Sequence, residues 1–288
     1  MKERNAIILA AGTSSRFVPL NFEKPKGLLE VKGEVLVERQ IRQLIEAGIC
    51  DITIVVGYKA EMFRYLSDKY GVSIVVNEDY AVYNNTSSVI RVLNRLGNTF
   101  LCSSDNYFPE NVFRTEEPES FYSALYASGP TGEYCLSVDE NDRITQVTVG
   151  GEDSWYMVGH VFFNKDFSER FAQILGREYS LPETRQGYWE DVYIRHIDEL
   201  PMKIHRYRKG EIEEFDSLDE LRLFDESYVC DTRSSILKEI CRAHGWSEEQ
   251  LHDFLRMEST DASFPSFSFS VGEEKYQYNG TKTKLQRI

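Results

Sequence analysis

The sequence predicts an α/β protein: a mixed, mostly parallel β-sheet flanked by helices, with a small α+β appendage behind it. Three observations carry this reading. Short apolar runs alternate with stretches of helical apolar spacing through the first hundred residues, the pattern of strands joined by crossover helices. From about residue 121, strand-like segments follow one another closely with turn residues between them, which points to antiparallel additions to the same sheet. The first apolar run, residues 6–11, opens at Gly12 into a loop of Thr and Ser that leads to Arg16, Pro19 and Lys26. A chain of 288 residues suffices for one large domain and an appendage, and the expected division is 1–227 and 228–288.

Each element follows in order. Residues 35–47 carry Val37, Ile41, Leu44 and Ile45 at helical spacing and stop at Gly48. Residues 52–56 read as a strand, 60–70 as an amphipathic helix ended by Gly71, 72–76 as a strand, 87–96 as a helix closed by Gly97, and 99–103 as a strand. Parallel sheets bind ligands beyond the carboxyl ends of their strands. Gly12, Gly57, Asn77 and Asp105 each follow a strand and are expected on that edge. Segments 121–127, 134–138, 144–149 and 156–163 read as four strands, with turns at Gly129-Pro130, Asn141-Asp142 and Gly150-Gly151, walling a second substrate. Helices at 167–175, 188–198 and 218–224 and a strand at 203–208 complete the main domain. In the appendage, 231–244 and 247–257 read as helices. Residues 266–271 and 275–278 read as a hairpin, and the polar stretch 259–265 and the tail 282–288 as partly disordered.

Composition narrows the function. The formal net charge of −14 argues against non-specific binding to nucleic acid or anionic membranes. Residues 1–60 hold nine Lys/Arg against seven Asp/Glu, so the acidity lies elsewhere and the leading segment suits an anion. The five cysteines lack any CxxC spacing, which suggests neither a disulfide framework nor a zinc site. No apolar run reaches membrane-spanning length, and the short run after the charged N-terminus reads as a strand rather than a signal peptide. The expectation is a reduced, cytoplasmic protein; the sequence leaves its oligomeric state open.

The leading loop is the most specific feature. A strand that opens into small residues lets backbone N–H groups approach phosphate oxygens. Arg16 and Lys26 add positive charge where phosphate bonds rearrange, which points to a nucleoside triphosphate. The run LAAGTSSRFVPLNFEKPKGLL resembles the signature LAAGxGSRxxPLTxxxPKxLL of the Rossmann-like nucleotidyltransferases that activate sugar phosphates and choline phosphate. It departs at Ser14, where a second glycine is usual, and at Asn21, where Thr is usual. A Ser Cβ fits at position 14 if φ there is negative.

Six further segments resemble, in order and spacing, the bacterial CTP:phosphocholine cytidylyltransferases: residues 54–58, 76–80, 83–88, 104–107, 188–191 and 214–217. The resemblance implies a Mg²⁺-dependent direct displacement. CTP and a small phosphorylated amino alcohol, phosphocholine first, would give the CDP-alcohol and pyrophosphate. It implies Arg16 and Lys26 as catalytic cations, and Ala10, Ala11, Gly12, Thr13 and Ser15 around the phosphates. Gly57, Tyr58, Asn77, Thr86, Ser87 and Ser104 would lie near the nucleotide. Asp105 and Asp216 match the two metal-binding aspartates, in keeping with the preference of Mg²⁺ for one or two carboxylates plus waters; helix capping is the competing reading for Asp216. Tyr134, Tyr188 and Trp189 map onto the acceptor wall, with Glu190, Asp191 and Glu214 as counter-charges. Aromatic faces suit a quaternary ammonium, and carboxylates suit a primary amine. 2-Aminoethylphosphonate and phosphoethanolamine therefore remain alternatives, a sugar 1-phosphate fits less well, and a non-catalytic nucleotide-binding protein is the reading from another class. The appendage resembles, over about 55 residues, the opening of a choline-kinase-type phosphotransferase. The kinase's catalytic loop lies far downstream of that opening, so a remnant or packing piece is expected.

Overall fold

The computed structural model describes residues 4–114, 119–257, 265–280 and 285–288. By its internal packing the chain divides into two compact units, one formed by residues up to Gly12 together with Val37–Glu213, the other by Thr13–Leu36 together with Glu214–Ile288. The grouping cuts across the expected boundary at 227/228, because the signature loop packs with the C-terminal residues.

The first unit is built on a seven-stranded sheet. Its strands are β1 (Arg4–Ala10), β2 (Asp51–Val56), β3 (Ser73–Val76), β4 (Asn98–Ser103), β5 (Phe121–Val138), β6 (Ile144–Phe163) and β7 (Lys203–Arg206), in the order β7-β5-β6-β4-β1-β2-β3. β1 pairs in parallel with β2 and β4, and β2 with β3. β6 runs antiparallel to β4 and β5. The central strands are apolar because both faces are covered: Ile7, Ile8, Ile54 and Val55 are fully buried. Helix α1 (Leu36–Glu46) buries Val37, Ile41 and Leu44. Helix α2 (Lys165–Glu178) is capped by Asn164, whose side chain accepts from the Phe167 amide. Helix α3 is Trp189–Arg195.

The parallel register does what the sequence predicts. Ala10 pairs with Val56, Val56 with Val76 and Leu9 with Ser103, so the strands end level. Ala11, Gly57, Asn77 and Ser104 leave the sheet along one edge, and hydrogen bonds from Tyr58 N to Ala11 O (3.0 Å), Asn77 N to Val56 O (2.7 Å) and Ser104 N to Leu9 O (3.1 Å) extend the ladder there.

Two expectations fail here for stated reasons. The turns expected at Gly129-Pro130 and Gly150-Gly151 are not turns. These residues lie inside β5 and β6, with Pro130 opposite Glu152 and Gly151 opposite Thr131. Gly129 (φ 84°) and Gly150 (φ 79°) absorb the register shifts, as bulges do, and the four short strands fuse into two long ones. The reversal comes at residues 139–143, where the Asp139 carboxylate accepts from the Asn141 and Arg143 amides.

In the second unit, Glu30–Val31 and Glu34–Val35 form a tight hairpin through Lys32 (φ 51°) and Gly33 (φ 81°), a pair of positive φ values that suits the twist of a two-residue turn. Helices α4 (Leu218–Phe224) and α5 (Ser235–His244) accompany an antiparallel sheet of β8 (Leu251–Arg256), β9 (Phe267–Val271), β10 (Glu274–Tyr278) and β11 (Gln286–Arg287). The helix expected at 247–257 is a single turn at Glu248–Gln250 followed by β8. A bulge at Asp253 (φ 55°) puts Leu251 and Phe254 on one buried face of a strand, which reproduces the three-residue spacing of a helix. Of the stretches expected to be disordered, 259–264 and 282–284 lie outside the described residues, while Gln286–Arg287 pairs with β10. Among the described residues no helix is long and apolar enough to cross a membrane, and all five cysteines are free thiols.

Gly57 is fixed by close packing. A Cβ there would lie 2.6 Å from Tyr80 Cβ and 2.8 Å from Ala11 O. Gly57→Ala should destabilise the protein by about 1–3 kcal/mol, as overpacking does, read as a lower midpoint in thermal or urea unfolding.

Candidate active site

The candidate residues belong to both units, and each group is described within its own. In the second unit the signature loop starts at Thr13. Its Thr13 carbonyl accepts from Asn21 Nδ2 (3.2 Å), and the Phe17 amide donates to Ser14 O (2.9 Å), closing the loop on itself. Asn21 thus serves the loop at the position where Thr is usual. Ser14 adopts φ 50°, so the condition under which a Ser Cβ fits without strain is not met. The chain enters the left-handed region that a glycine would occupy freely, with the cost of a Cβ. Ser15 and Arg16 are exposed.

Lys26 opens a short 3₁₀ turn after Pro25 and is only 5% exposed. Its ammonium lies over the Phe17 ring, 5.6 Å from the centroid, and 3.8 Å from Asp216 Oδ1. The other carboxylate oxygen, Asp216 Oδ2, receives Arg16 Nη1 at 2.7 Å. One carboxylate therefore holds both candidate catalytic cations. This decides the competing reading of Asp216 as a helix cap: Ser217 caps α4, its Oγ accepting from Glu220 N (3.1 Å), while the Asp216 carboxylate faces Arg16 and Lys26. Glu214 belongs to this unit and is exposed.

In the first unit Gly12 ends the leading strand. A Cβ there would meet nothing within 4 Å, so no packing within the chain demands glycine. Asp105 sits half-buried in the turn after β4, with Oδ1 shielded from solvent. Gln40 of α1 fixes that turn: its Nε2 donates to the carbonyls of Ser103 and Asn106, each at 2.9 Å. Gly159 of β6 allows the close approach, since a Cβ there would lie 2.4 Å from Ser103 Oγ. The sequence reading missed Gln40, because nothing local marks a glutamine on a helix face as the clamp of a distant turn.

Three of the expected nucleotide contacts have side chains hydrogen-bonded within the chain. Asn77 is buried; its Nδ2 donates to Ser87 and Ser88, and its Oδ1 accepts from Arg91 Nε and the Asp79 amide. Ser87 Oγ donates to Asn84 O. Thr86 is fully buried, with its hydroxyl on the carbonyls of Thr184 (2.8 Å) and Gly187 (3.0 Å). These bonds tie the 83–88 loop to the segment that leads into α3. Tyr58 keeps a partly exposed ring 6.3 Å from that of Tyr80.

The acceptor wall divides in the same way. Trp189 is 3% exposed, stacked on Tyr122 (5.7 Å, 12°) and packed edge-on against Phe163 and Phe171. It is a core residue and offers no face to a ligand, contrary to expectation. Tyr188 is 45% exposed. Tyr134 donates to Asp191 Oδ1 (3.3 Å), and Asp191 Oδ2 accepts from the Tyr188 amide (2.7 Å), capping α3. Glu190 accepts from Asn85 Nδ2 (3.2 Å) and Tyr122 OH (3.1 Å). Burial pushes its carboxyl up to about 7, against these two hydrogen bonds and with the neighbouring Asp191 charge adding to the rise. Asn85 also accepts from the Trp189 amide (2.7 Å). Asn85 and Tyr122 were not singled out from sequence, since their roles exist only once the 83–88 loop meets α3.

Residues 6–115 match the MobA-like NTP transferase domain, which places the protein among the nucleotidyltransferases. The chain is 36% identical to a 2-aminoethylphosphonate cytidylyltransferase of Lancefieldella rimae, over 81% of this chain and 96% of that one. It is 34% identical to a choline-phosphate cytidylyltransferase of Streptococcus pneumoniae, over 77% of this chain and 96% of that one. The solved CTP:phosphocholine cytidylyltransferase from Streptococcus pneumoniae superposes with a TM-score of 0.75 at 34% identity, covering 78% of this chain and 99% of that one. The chain belongs to this family of bacterial cytidylyltransferases.

Ser14 provides a direct check on the loop geometry. Ser14→Gly should raise stability by about 1 kcal/mol by removing the left-handed strain. Thermal unfolding reads this as a higher midpoint; an unchanged or lower midpoint would show that the loop does not hold φ 50° in solution.

Proposed function

We propose that the protein transfers the cytidylyl group of CTP to the phosphate or phosphonate oxygen of a small acceptor bearing a primary ammonium group, and releases pyrophosphate. The acceptor oxygen attacks the α-phosphorus, and the bond from that phosphorus to the pyrophosphate oxygen breaks. An acceptor of this kind is already anionic, so the reaction calls for positioning and charge stabilisation rather than a strong base. The observation that carries the reading is the convergence of Arg16 and the buried Lys26 on Asp216. A polyphosphate can take both cations from that carboxylate, Arg16 at its outer phosphates and Lys26 at the α-phosphate and the acceptor. Backbone N–H groups of Gly12, Thr13 and Ser15 would complete the phosphate cradle.

The donor set also suits Mg²⁺. Among the described residues no cluster of three or more His, Cys, Asp or Glu side chains is poised for a metal, whereas Mg²⁺ needs only one or two carboxylates, with water and substrate oxygens filling the rest. Asp105 and Asp216 are the residues assigned to it, and the ion would offset charge on the triphosphate. The transferase activity is assigned to residues 1–227, in keeping with relatives that are nearly fully covered by about four-fifths of this chain.

Two features of the acceptor wall favour a primary amine such as 2-aminoethylphosphonate or phosphoethanolamine. Withdrawal of Trp189 into the core leaves the wall one aromatic face short, and Glu190 and Asp191 offer oxygens that an N–H donor can use. Phosphocholine is the second reading, favoured by the exposed Tyr188 ring beside Tyr134 and by the Streptococcus relative. Parallel pyrophosphate-release assays with CTP or UTP against the three acceptors decide between them. A higher kcat/KM for phosphocholine would overturn the primary-amine assignment.

Lys26→Ala should lower kcat by about 10²–10³, the scale of losing one preorganised charge-stabilising group, with the unfolding midpoint retained. Glu190 gives a pH signature. Its folded pKa near 7 lies above the ordinary 4.5, so the stability it contributes is present at low pH and is lost as pH rises through about 7. A cationic acceptor prefers the ionised form. KM for the acceptor should therefore fall between pH 6 and 8, and Glu190→Gln should flatten that profile while stabilising the protein most above pH 7.

A further inference from the structure

Glu23 lies in the variable stretch of the signature, at the last position of the short helix Leu20–Glu23. Its side chain is half-buried. One carboxylate oxygen accepts from Ser234 Oγ (2.5 Å) and the Ile236 amide (3.2 Å), the other from the Ser235 amide (2.9 Å) and Ser235 Oγ (2.5 Å). These donors form the N-terminus of α5, where unpaired amides and the helix dipole favour an anion. Burial opposes the charge on Glu23, yet the four hydrogen bonds prevail and hold its carboxyl below the ordinary value. The neighbouring contacts run the same way. Phe22 packs on Phe267 of β9, Tyr228 OH donates to Glu30 O (2.7 Å), the Lys32 amide donates to Asp225 Oδ2 (2.7 Å), and Arg233 Nη1 donates to Glu30 O (2.5 Å). The segment on both sides of Lys26 is thereby fastened to residues 225–267, all within the second unit.

We propose that Glu23 is a positioning residue for the transfer reaction. By seating its carboxylate on the start of α5, it makes the C-terminal segment part of the frame that holds Lys26 and, through Asp216, Arg16. This rests on the assignment of those two cations to the phosphates. Glu23 is three residues before Lys26, with Pro25 between them limiting the backbone, so a shift at the α5 contact is carried into the lysine. Misplacing a charge-stabilising group by a fraction of an ångström lowers the chemical step more than it lowers binding.

The test uses the full chain and compares wild type with Glu23→Ala, Glu23→Gln and Ser235→Ala. Steady-state transfer gives kcat and KM for CTP, and amide hydrogen exchange is followed with and without CTP and Mg²⁺. Glu23→Ala should lower kcat about ten-fold with KM for CTP within two-fold. Glu23→Gln, which keeps both acceptor and shape but not the charge, should fall between it and wild type. In wild type, nucleotide should slow exchange in residues 235–244 as well as in the signature loop, and in Glu23→Ala only in the loop. A wild-type kcat in Glu23→Ala, or no nucleotide effect on 235–244 in wild type, would overturn the proposal. If Glu23→Ala does not fold, Glu23→Gln and Ser235→Ala, which remove only part of the contact, are judged by the same two readouts. Failure of the function itself is separate: it is absence of transfer by wild type with every acceptor.

Discussion

Two cations brought close together repel one another, and this protein meets that constraint with a single carboxylate. Asp216 pairs with the exposed Arg16 and stands beside the buried ammonium of Lys26. Burying an ammonium without a counter-charge is strongly unfavourable, so the aspartate permits Lys26 to lie at 5% exposure.

The acceptor side depends on a different device. Asn85 and Thr86 lock the 83–88 loop to the segment before α3, and Glu190 is suspended between Asn85 and Tyr122. A buried carboxyl whose ionisation lies near neutrality is well matched to a ligand that carries its own cation. The loop and α3 act as one body because each satisfies polar groups of the other: the Trp189 amide on Asn85, the Gly187 carbonyl on Thr86.

The signature and the strand–helix alternation were readable because they are local. Apolar periodicity, Gly stops and the level ends of β1, β2, β3 and β4 require only neighbours in sequence and the rules of parallel pairing. What failed is non-local. Gly129 and Gly150 look like turn residues, yet each lies inside a long strand at a register shift of the β5–β6 hairpin. Leu251 and Phe254 have helical spacing only because a bulge at Asp253 intervenes. The resemblance implied Asp216 as a metal ligand, and the structure pairs its carboxylate with the loop cations; Asn77, Thr86 and Ser87 have their side chains engaged by their own chain, and Trp189 is buried in the core. A conserved-looking polar or aromatic residue does not announce whether its partner is a ligand or its own chain. Gln40 and Glu23 were invisible for the mirror reason: their partners lie tens to hundreds of residues away.

The packing of residues 13–36 with 214–288 has a consequence for biosynthesis. The loop leaves the ribosome early, but its packing partners follow only some two hundred residues later, on the order of 10–40 s at ordinary elongation rates. During that interval the growing chain can assemble its parallel sheet while the phosphate-handling segment waits without a mould. Long loop closure of this kind slows maturation, and the nascent polypeptide acquires its working shape from both ends inward.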